Sequence, residues 1–325
     1  PANLTPEYYE AEEAFKKANT IEEKIVALNE MLAVIPKHKG TDKLRADLRK
    51  KLSNLKDEKG KDKGGKKQDD PYLVEEQGAG QVLLIGFPST GKSSFVKSVT
   101  NAKVEVAPYP YTTSLPEPGM MPYEDIKIQL VDSPPITQDG IPGPFLNTIR
   151  RADLLLLFID LSSENCIDQL QMSLDFLEDK RILREEKING VQSFTKRECP
   201  VIGCKFDVDG SEEKLEIIKE LIPDAPEIIP ISTETGKNLD ELKKIIFNRL
   251  NIIRIYTKAP GKKPDTDNPF VLKKGSTVIE FAREVHRDIA NNLKKARVWG
   301  SSRFDGQSVS QDYELEDQDI VELHE

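Results

Sequence analysis

The stretch Gly86-Phe87-Pro88-Ser89-Thr90-Gly91-Lys92-Ser93, preceded by the apolar run VLLI and followed by SFVKSVT from Ser94, decides the fold. It fits G-x-x-x-x-G-K-[ST] and lies between a run of strand character and a helix that opens near Ser93. Its glycines let the backbone turn so that successive N–H groups face inward, at a helix N-terminus whose dipole also favours negative charge. Such a loop cradles phosphates, with Lys92 directed to the β- and γ-phosphates and Ser93 placed to ligate Mg²⁺. Residues 86 to 94 are therefore the predicted phosphate cradle.

Around this loop, residues 80–250 alternate short apolar runs with helical stretches: QVLLIG, SSFVKSVT, IKIQLVD, FLNTIRRAD, LLLLFID, IDQLQMSLDFLED, PVIGCKFD, EEKLEIIKELI, IIPIS and LDELKKIIFNRL. Continuous apolar strands separated by helices predict a parallel sheet covered on both faces, a doubly wound α/β domain of the P-loop type. Residues 1–57 read as helical. Thr5-Pro6 opens one helix, the capping box Thr20/Glu23 a second, and Thr41 is placed to cap a third with Leu44, Leu48, Leu52 and Leu55 on one stripe. Residues 58–79 read as a flexible charged linker. Residues 251–325 read as a small α+β domain in which the capping box Thr277/Glu280 opens one helix, VIEFAREVHRDIANNLKKA, among short strands. Core packing in that domain is the expected role of Trp299 and Tyr256.

The chain has 325 residues, 37% apolar and 32% charged, and a net charge of −9. That balance argues against a protein that coats nucleic acid non-specifically. The charge is uneven, however: Lys37 to Lys67 holds thirteen Lys or Arg against five Asp or Glu, a basic arm on an acidic body, where contact with RNA is most plausible. Cys166, Cys199 and Cys204 form neither a C-x-x-C pair nor a disulfide framework, which predicts a reducing compartment. No run approaches the ~20 apolar residues of a membrane span, and no secretory signal is visible at the N-terminus, so a cytoplasmic protein without a membrane partner is expected.

Segments beyond the loop choose among the nucleotide-binding classes. The run IKIQLVD ends in Asp132, an acid at a strand C-terminus where a water-mediated Mg²⁺ contact is expected. In the proline-rich loop Tyr109 to Thr113, the Thr113 hydroxyl could complete the metal shell. The next strand ends carry Cys204-Lys205-Phe206-Asp207 and Ile231-Ser232-Thr233. Asp207 discriminates: a carboxylate accepts both the N1–H and the 2-amino group of guanine, and adenine offers no such pair of donors.

From about residue 20 onward the chain resembles the developmentally regulated GTP-binding protein family, Obg-related GTPases with a C-terminal TGS domain. GFPSTGKS resembles that family's first motif and YPYTTSLPEPG its switch I. IRIYTKAPGKKPD, ARVWG and LEDQDIVEL resemble a TGS domain, a β-grasp module, and KHKGTDKLRADLRKKLSNLK resembles the helical segment that precedes the GTPase domain. The resemblance implies GTP/GDP with Mg²⁺ held by Ser93 and Thr113, Lys92, Thr113 and Asp132 in the hydrolytic site, and Cys204, Lys205, Asp207, Ser232 and Thr233 at the base. It also implies association with the ribosome or RNA, and a TGS surface for a protein partner.

Three features depart from the family pattern. The switch II motif Asp-x-x-Gly reads Asp132-Ser133-Pro134-Pro135, and proline lacks the N–H that a glycine would offer the γ-phosphate. Cys204 replaces the asparagine of Asn-Lys-x-Asp, and a thiol cannot supply an amide's donor and acceptor together. The interval from Asp132 to Cys204 is too short for the subdomain inserted there in close relatives. Ile136 stands where Ras-like enzymes carry a water-orienting glutamine, so hydrolysis is expected to be slow without a partner or a monovalent ion such as K⁺. A slow GTPase is thus the leading expectation. The alternatives are a nucleotide-binding interaction module with an uncoupled switch II and, against the reading of Asp207, an ATP-using enzyme.

Overall fold

The computed structural model describes residues 4–61, 71–100, 115–137, 140–188 and 190–324. Three helices come first. The first, α1 (Pro6–Lys17), starts where the Thr5 hydroxyl oxygen accepts the Tyr8 N–H, and α2 (Ile21–Val34) opens on the Thr20/Glu23 capping box. The third, α3 (Asp42–Lys61), runs on into the segment expected to be linker. Thr41 does not cap it: fully buried in a 3₁₀ turn, its hydroxyl donates instead to the Pro36 and His38 carbonyls. The leucine stripe Leu44, Leu48, Leu52 and Leu55 packs on Tyr8, Leu28, Met31 and Ile35 as its spacing dictates. These helices are tied to the rest of the chain by Glu30 of α2, which is 3% exposed and pairs with Arg181 at 3.1 Å and Arg184 at 2.8 Å.

Six strands follow: β1 (Gln81–Gly86), β2 (Glu117–Tyr123), β3 (Ile126–Asp132), β4 (Leu154–Asp160), β5 (Val201–Cys204) and β6 (Ile228–Pro230). They form one sheet in the order β2-β3-β1-β4-β5-β6, parallel except for β2. The edge strand β2 escapes the strand pattern in the sequence because it carries Pro118 and Pro122. A missing N–H is tolerated there, where one side of the strand has no partner in the sheet.

The connecting helices are α4 (Lys92–Val99), α5 (Phe145–Arg151), α6 (Cys166–Asp179), α7 (Ser211–Leu221) and α8 (Leu239–Leu250). Leu83, Ile85, Leu155, Leu157 and Ile159 face α5, α6 and α7, whereas Val82, Leu84, Leu154, Leu156 and Phe158 face α4 and α8. Both faces are covered, which explains why these strands lack polar alternation. Each such side chain contributes about 1.5–3 kcal/mol of burial.

Asn251, in the left-handed region with φ 55°, ends α8, and the second sheet begins one residue later. Its strands β7 (Ile252–Thr257), β8 (Asp265–Lys273), β9 (Lys295–Trp299), β10 (Gln307–Val309) and β11 (Asp319–His324) lie in the order β10-β9-β11-β7-β8, with β7 and β11 parallel. Helix α9 (Val278–Val285) covers one face through Val278, Phe281 and Ala282. The single helix expected here breaks at His286, whose backbone is extended and whose Nδ1 accepts the Asp288 N–H at 3.1 Å, capping α10 (Arg287–Asn292). Trp299 and Tyr256 do not join this core, contrary to expectation. Their strand register places both on the other face, where the Lys258 ammonium sits 4.6 Å from the Trp299 ring centroid and the Tyr256 hydroxyl donates to Asp125.

Candidate functional site

The residues singled out in the sequence, apart from Thr113, lie at the C-terminal ends of β1, β3 and β5 and just beyond β6, on one edge of the parallel sheet where such folds bind ligands. Thr113 and its loop lie outside the described residues. Gly86 ends β1, and a Cβ there would lie 2.5 Å from the Phe158 carbonyl oxygen. Gly91 has φ +99°, a conformation that favours glycine, and immediately precedes α4. Between them Thr90 is buried, its hydroxyl donating to the Phe87 carbonyl at 2.9 Å, while Phe87 and Pro88 are half-buried and Ser89 is exposed. Ser94 is exposed on the first turn of α4.

Lys92 is buried, and its ammonium donates to the Gly86 and Phe87 carbonyls at 3.0 and 2.9 Å. Desolvation lowers its pKa to about 8, against the opposing influence of Asp132. Asp132 is 4% exposed, and one carboxylate oxygen accepts the Ser93 hydroxyl. Its other oxygen, Oδ1, is buried with no hydrogen-bond partner among the described residues. Burial raises the Asp132 pKa, opposed by the Ser93 hydrogen bond and the Lys92 charge. A hydroxyl beside an orphaned carboxylate oxygen is a set of hard donors suited to Mg²⁺. No group of three His, Cys, Asp or Glu side chains forms a metal cage among the described residues, so a metal here would depend on ligand phosphates for much of its shell.

Beyond Asp132 the chain is pinned. The Ser133 hydroxyl donates to the Pro134 carbonyl, and the Ile136 N–H donates to Gly86 O at 3.0 Å, the carbonyl that Lys92 also engages. Pro135 has no N–H, the next one is occupied, and the Ile136 side chain is core at 2% exposure.

At the end of β5, Cys204 is fully buried and its thiol is pushed up to about 12 by desolvation. Its Sγ packs against the phosphate loop: a Cβ on Gly91 would lie 2.9 Å from it. Lys205 has φ 60° and donates to Asp160 at 2.6 Å. Asp207 is exposed and makes no hydrogen bond or ion pair among the described residues. Ser232 is buried in a tight turn, its N–H donating to Lys237 O and its hydroxyl accepting the Thr235 N–H, with Thr233 half-buried beside it. Lys237 stacks its ammonium 4.2 Å from the Phe206 ring centroid, toward the reading segment. Asp160 and Lys237 were not singled out in the sequence. An acid at the end of a buried strand, followed by Ser162, was the available signal for the first.

A model described as "50S ribosome-binding GTPase" matches residues 81–189, and a TGS domain model matches residues 253–325. The fold and these matches define a P-loop GTPase domain joined to a C-terminal TGS domain. An uncharacterized GTP-binding protein of Methanocaldococcus jannaschii is 31% identical over 365 residues, covering 93% of this chain and 92% of the relative. Developmentally-regulated G-protein 1 of Arabidopsis thaliana is 28% identical, covering 93% and 90%, and Ribosome-interacting GTPase 1 of Saccharomyces cerevisiae is 26% identical, covering 94% and 99%. The chain belongs to the developmentally regulated GTP-binding protein family. Each alignment is longer than the 325 residues of this chain, so these relatives carry residues that it lacks. The YchF GTPase of Schizosaccharomyces pombe shares the fold, with a TM-score of 0.51 at 15% identity over 78% of this chain and 100% of that one.

Proposed function

We propose that the chain binds GTP and GDP with Mg²⁺ and hydrolyses GTP slowly, as a cytoplasmic protein that associates with the ribosome or its RNA. The observation that carries this reading is the convergence, on one sheet edge, of the Lys92 loop, the Ser93–Asp132 pair and the exposed Asp207 carboxylate, unpartnered among the described residues. In it, loop N–H groups and Lys92 hold the phosphates, Ser93 and Thr113 hold the metal, with Asp132 reaching it through water, and Asp207 reads guanine while Ser232 and Thr233 shape the loop beside the base. Mg²⁺ held by these residues would supply positive charge against the phosphates as negative charge develops there. No side chain at position 136 orients water, which makes turnover slow and leaves room for acceleration by ribosomes or K⁺. Calorimetric titration with GDP, a GTP analogue and ADP, followed by turnover with and without ribosomes and K⁺, tests the reading. A preference for ADP, or turnover at background under every condition, would overturn it.

The ribosomal part is supported by the names of the matched model and the yeast relative, and by the outer face of the helical arm. Lys37, Lys39, Lys43, Arg49, Lys50, Lys51 and Lys56 are exposed there and suited to phosphate contacts, and the TGS domain offers a second surface for RNA or a protein partner. No helix among the described residues is long and apolar enough to cross a membrane.

Lys92 gives this reading a pH signature. An empty site releases its proton near pH 8, whereas bound phosphates keep the ammonium charged, so binding takes up a proton above that value. GDP affinity should therefore fall as pH rises, about tenfold from pH 7 to pH 9. Lys92→Arg, whose guanidinium stays charged, should bind with a flatter profile; equal slopes in the two proteins would refute the assignment.

The pinned switch II favours a second reading, an interaction module that does not sense the γ-phosphate. It predicts that GDP and a non-hydrolysable GTP analogue bind within about tenfold of each other, and that Pro135→Gly gains about tenfold for the analogue alone by restoring one charge-assisted hydrogen bond. Strong discrimination by the wild-type protein would exclude it.

A further inference from the structure

Asp160 ends β4 beside the base-reading segment, and its polar atoms are committed. Its Oδ2 accepts the Lys205 ammonium at 2.6 Å, and its Oδ1 accepts the Ser162 N–H at 2.9 Å and the Ser162 hydroxyl at 2.6 Å. Burial acts to raise its pKa, but the hydrogen bonds from Lys205 and Ser162 outweigh that and hold the carboxyl below the usual range, ionised at neutral pH. Two features show why such an anchor is required. Cys204, where the family pattern has an amide, meets the phosphate loop among the described residues by packing, its Sγ against Gly91. Lys205 also holds a left-handed backbone, φ 60°, a conformation that is strained for a non-glycine residue and persists where the surroundings impose it.

We propose that Asp160 is the positioning residue for guanine recognition, fixing Lys205 across the base pocket and thereby the turn from which Asp207 projects. It supplies from β4 the polar tether that Cys204 cannot supply from β5. The ligand chemistry it serves is a purine presenting N1–H and a 2-amino group to Asp207. Ser162, gripping the far carboxylate oxygen, sets the direction in which Oδ2 faces Lys205. This inference rests on the guanine-binding reading proposed above.

The test is a double-mutant cycle on the full chain, read as GDP affinity by calorimetry in Mg²⁺. Asp160→Asn retains an oxygen for Ser162 but loses the charge opposite Lys205, and should weaken GDP binding about tenfold. Lys205→Ala should weaken it further, and the double variant should match Lys205→Ala within about twofold, because Asp160 acts through Lys205. A role confined to folding would add its penalty in both backgrounds. Should Asp160→Asn fail to fold, Ser162→Ala replaces it in the cycle, with a loss of about threefold that appears only when Lys205 is present. Unchanged affinity, or equal losses with and without Lys205, overturns the inference. A wild-type protein that shows no guanine preference overturns the underlying reading as well, so the two failures are distinguishable.

Discussion

Replacing Asp207 by Asn is expected to invert base preference, lowering GDP affinity about 100-fold and making XDP the better ligand. The carboxylate offers two acceptors to the two donors of guanine, N1–H and the 2-amino group. An asparagine offers one acceptor and one donor. Its NH₂ then faces the 2-amino group of guanine, donor against donor, and two hydrogen bonds to a charged acceptor become a single neutral one. At ~1.5–3 kcal/mol per charge-assisted bond the loss reaches about 3 kcal/mol, which is about two decades in affinity. Xanthine carries a carbonyl at position 2 and matches the amide in both places. Because Asp207 is exposed and unpartnered among the described residues, the substitution leaves no orphaned neighbour, and folding should be unaffected. Titration of both proteins with GDP, XDP and ADP separates this outcome from general damage, which would lower all three alike.

The parts of the site that depend on neighbouring residues are legible in the sequence. Gly86, Gly91, Lys92 and Ser93 lie within eight positions, and every constraint on them is local: a tight turn, a helix N-terminus, an ammonium folded back over the loop. The apolar runs of β1 and β4 are equally plain, since burial on both faces leaves no polar alternation to confuse them. What escapes is set by distance and by compensation. Asp160 meets Lys205 across 45 positions through a left-handed turn that no residue type announces. The prolines of β2 argue against a strand until its edge position is known. Glu30 looks like part of a solvated helix face, yet Arg181 and Arg184, more than 150 positions away, make it a buried anchor. His286 likewise breaks a continuous amphipathic pattern through its own ring nitrogen, which outcompetes the helical path by capping the next turn.

Arg254→Ala should loosen the TGS domain from the GTPase domain at a cost of about 3 kcal/mol. Arg254 is 3% exposed, and its guanidinium donates to Asp317 at 3.1 and 2.7 Å, to Asp125 at 2.8 Å and to Glu124, while lying 5.0 Å from the Phe247 ring centroid. Glu124 and Asp125 form the turn between β2 and β3, so one side chain from the second sheet grips the first. Its hydrogen bonds to these acids, with Asp317 first, push its pKa further above the ordinary arginine value. Removing it strands three carboxylates around a void. They are partly exposed, which keeps the penalty at the low end of the ~3–5 kcal/mol for a broken buried pair. Burial works to raise the Asp125 pKa, but hydrogen bonds from Tyr256 and Arg254 outweigh it and leave the pKa lowered. This part of the stabilisation is therefore complete above the ordinary carboxylate value of 3.8 and is lost as pH falls through the lower folded value. The chain's one tryptophan, Trp299, lies in the TGS domain and reports its unfolding separately from the far-ultraviolet signal of the whole. In the wild-type protein the two signals should change together. In Arg254→Ala the tryptophan transition should come first, by roughly 12 °C or more, and Arg254→Lys should fall between, because it keeps the charge but loses the fork that engages Asp317 twice. Coincident transitions in Arg254→Ala, with a midpoint within about 2 °C of wild type, would show that the domains hold together without this contact.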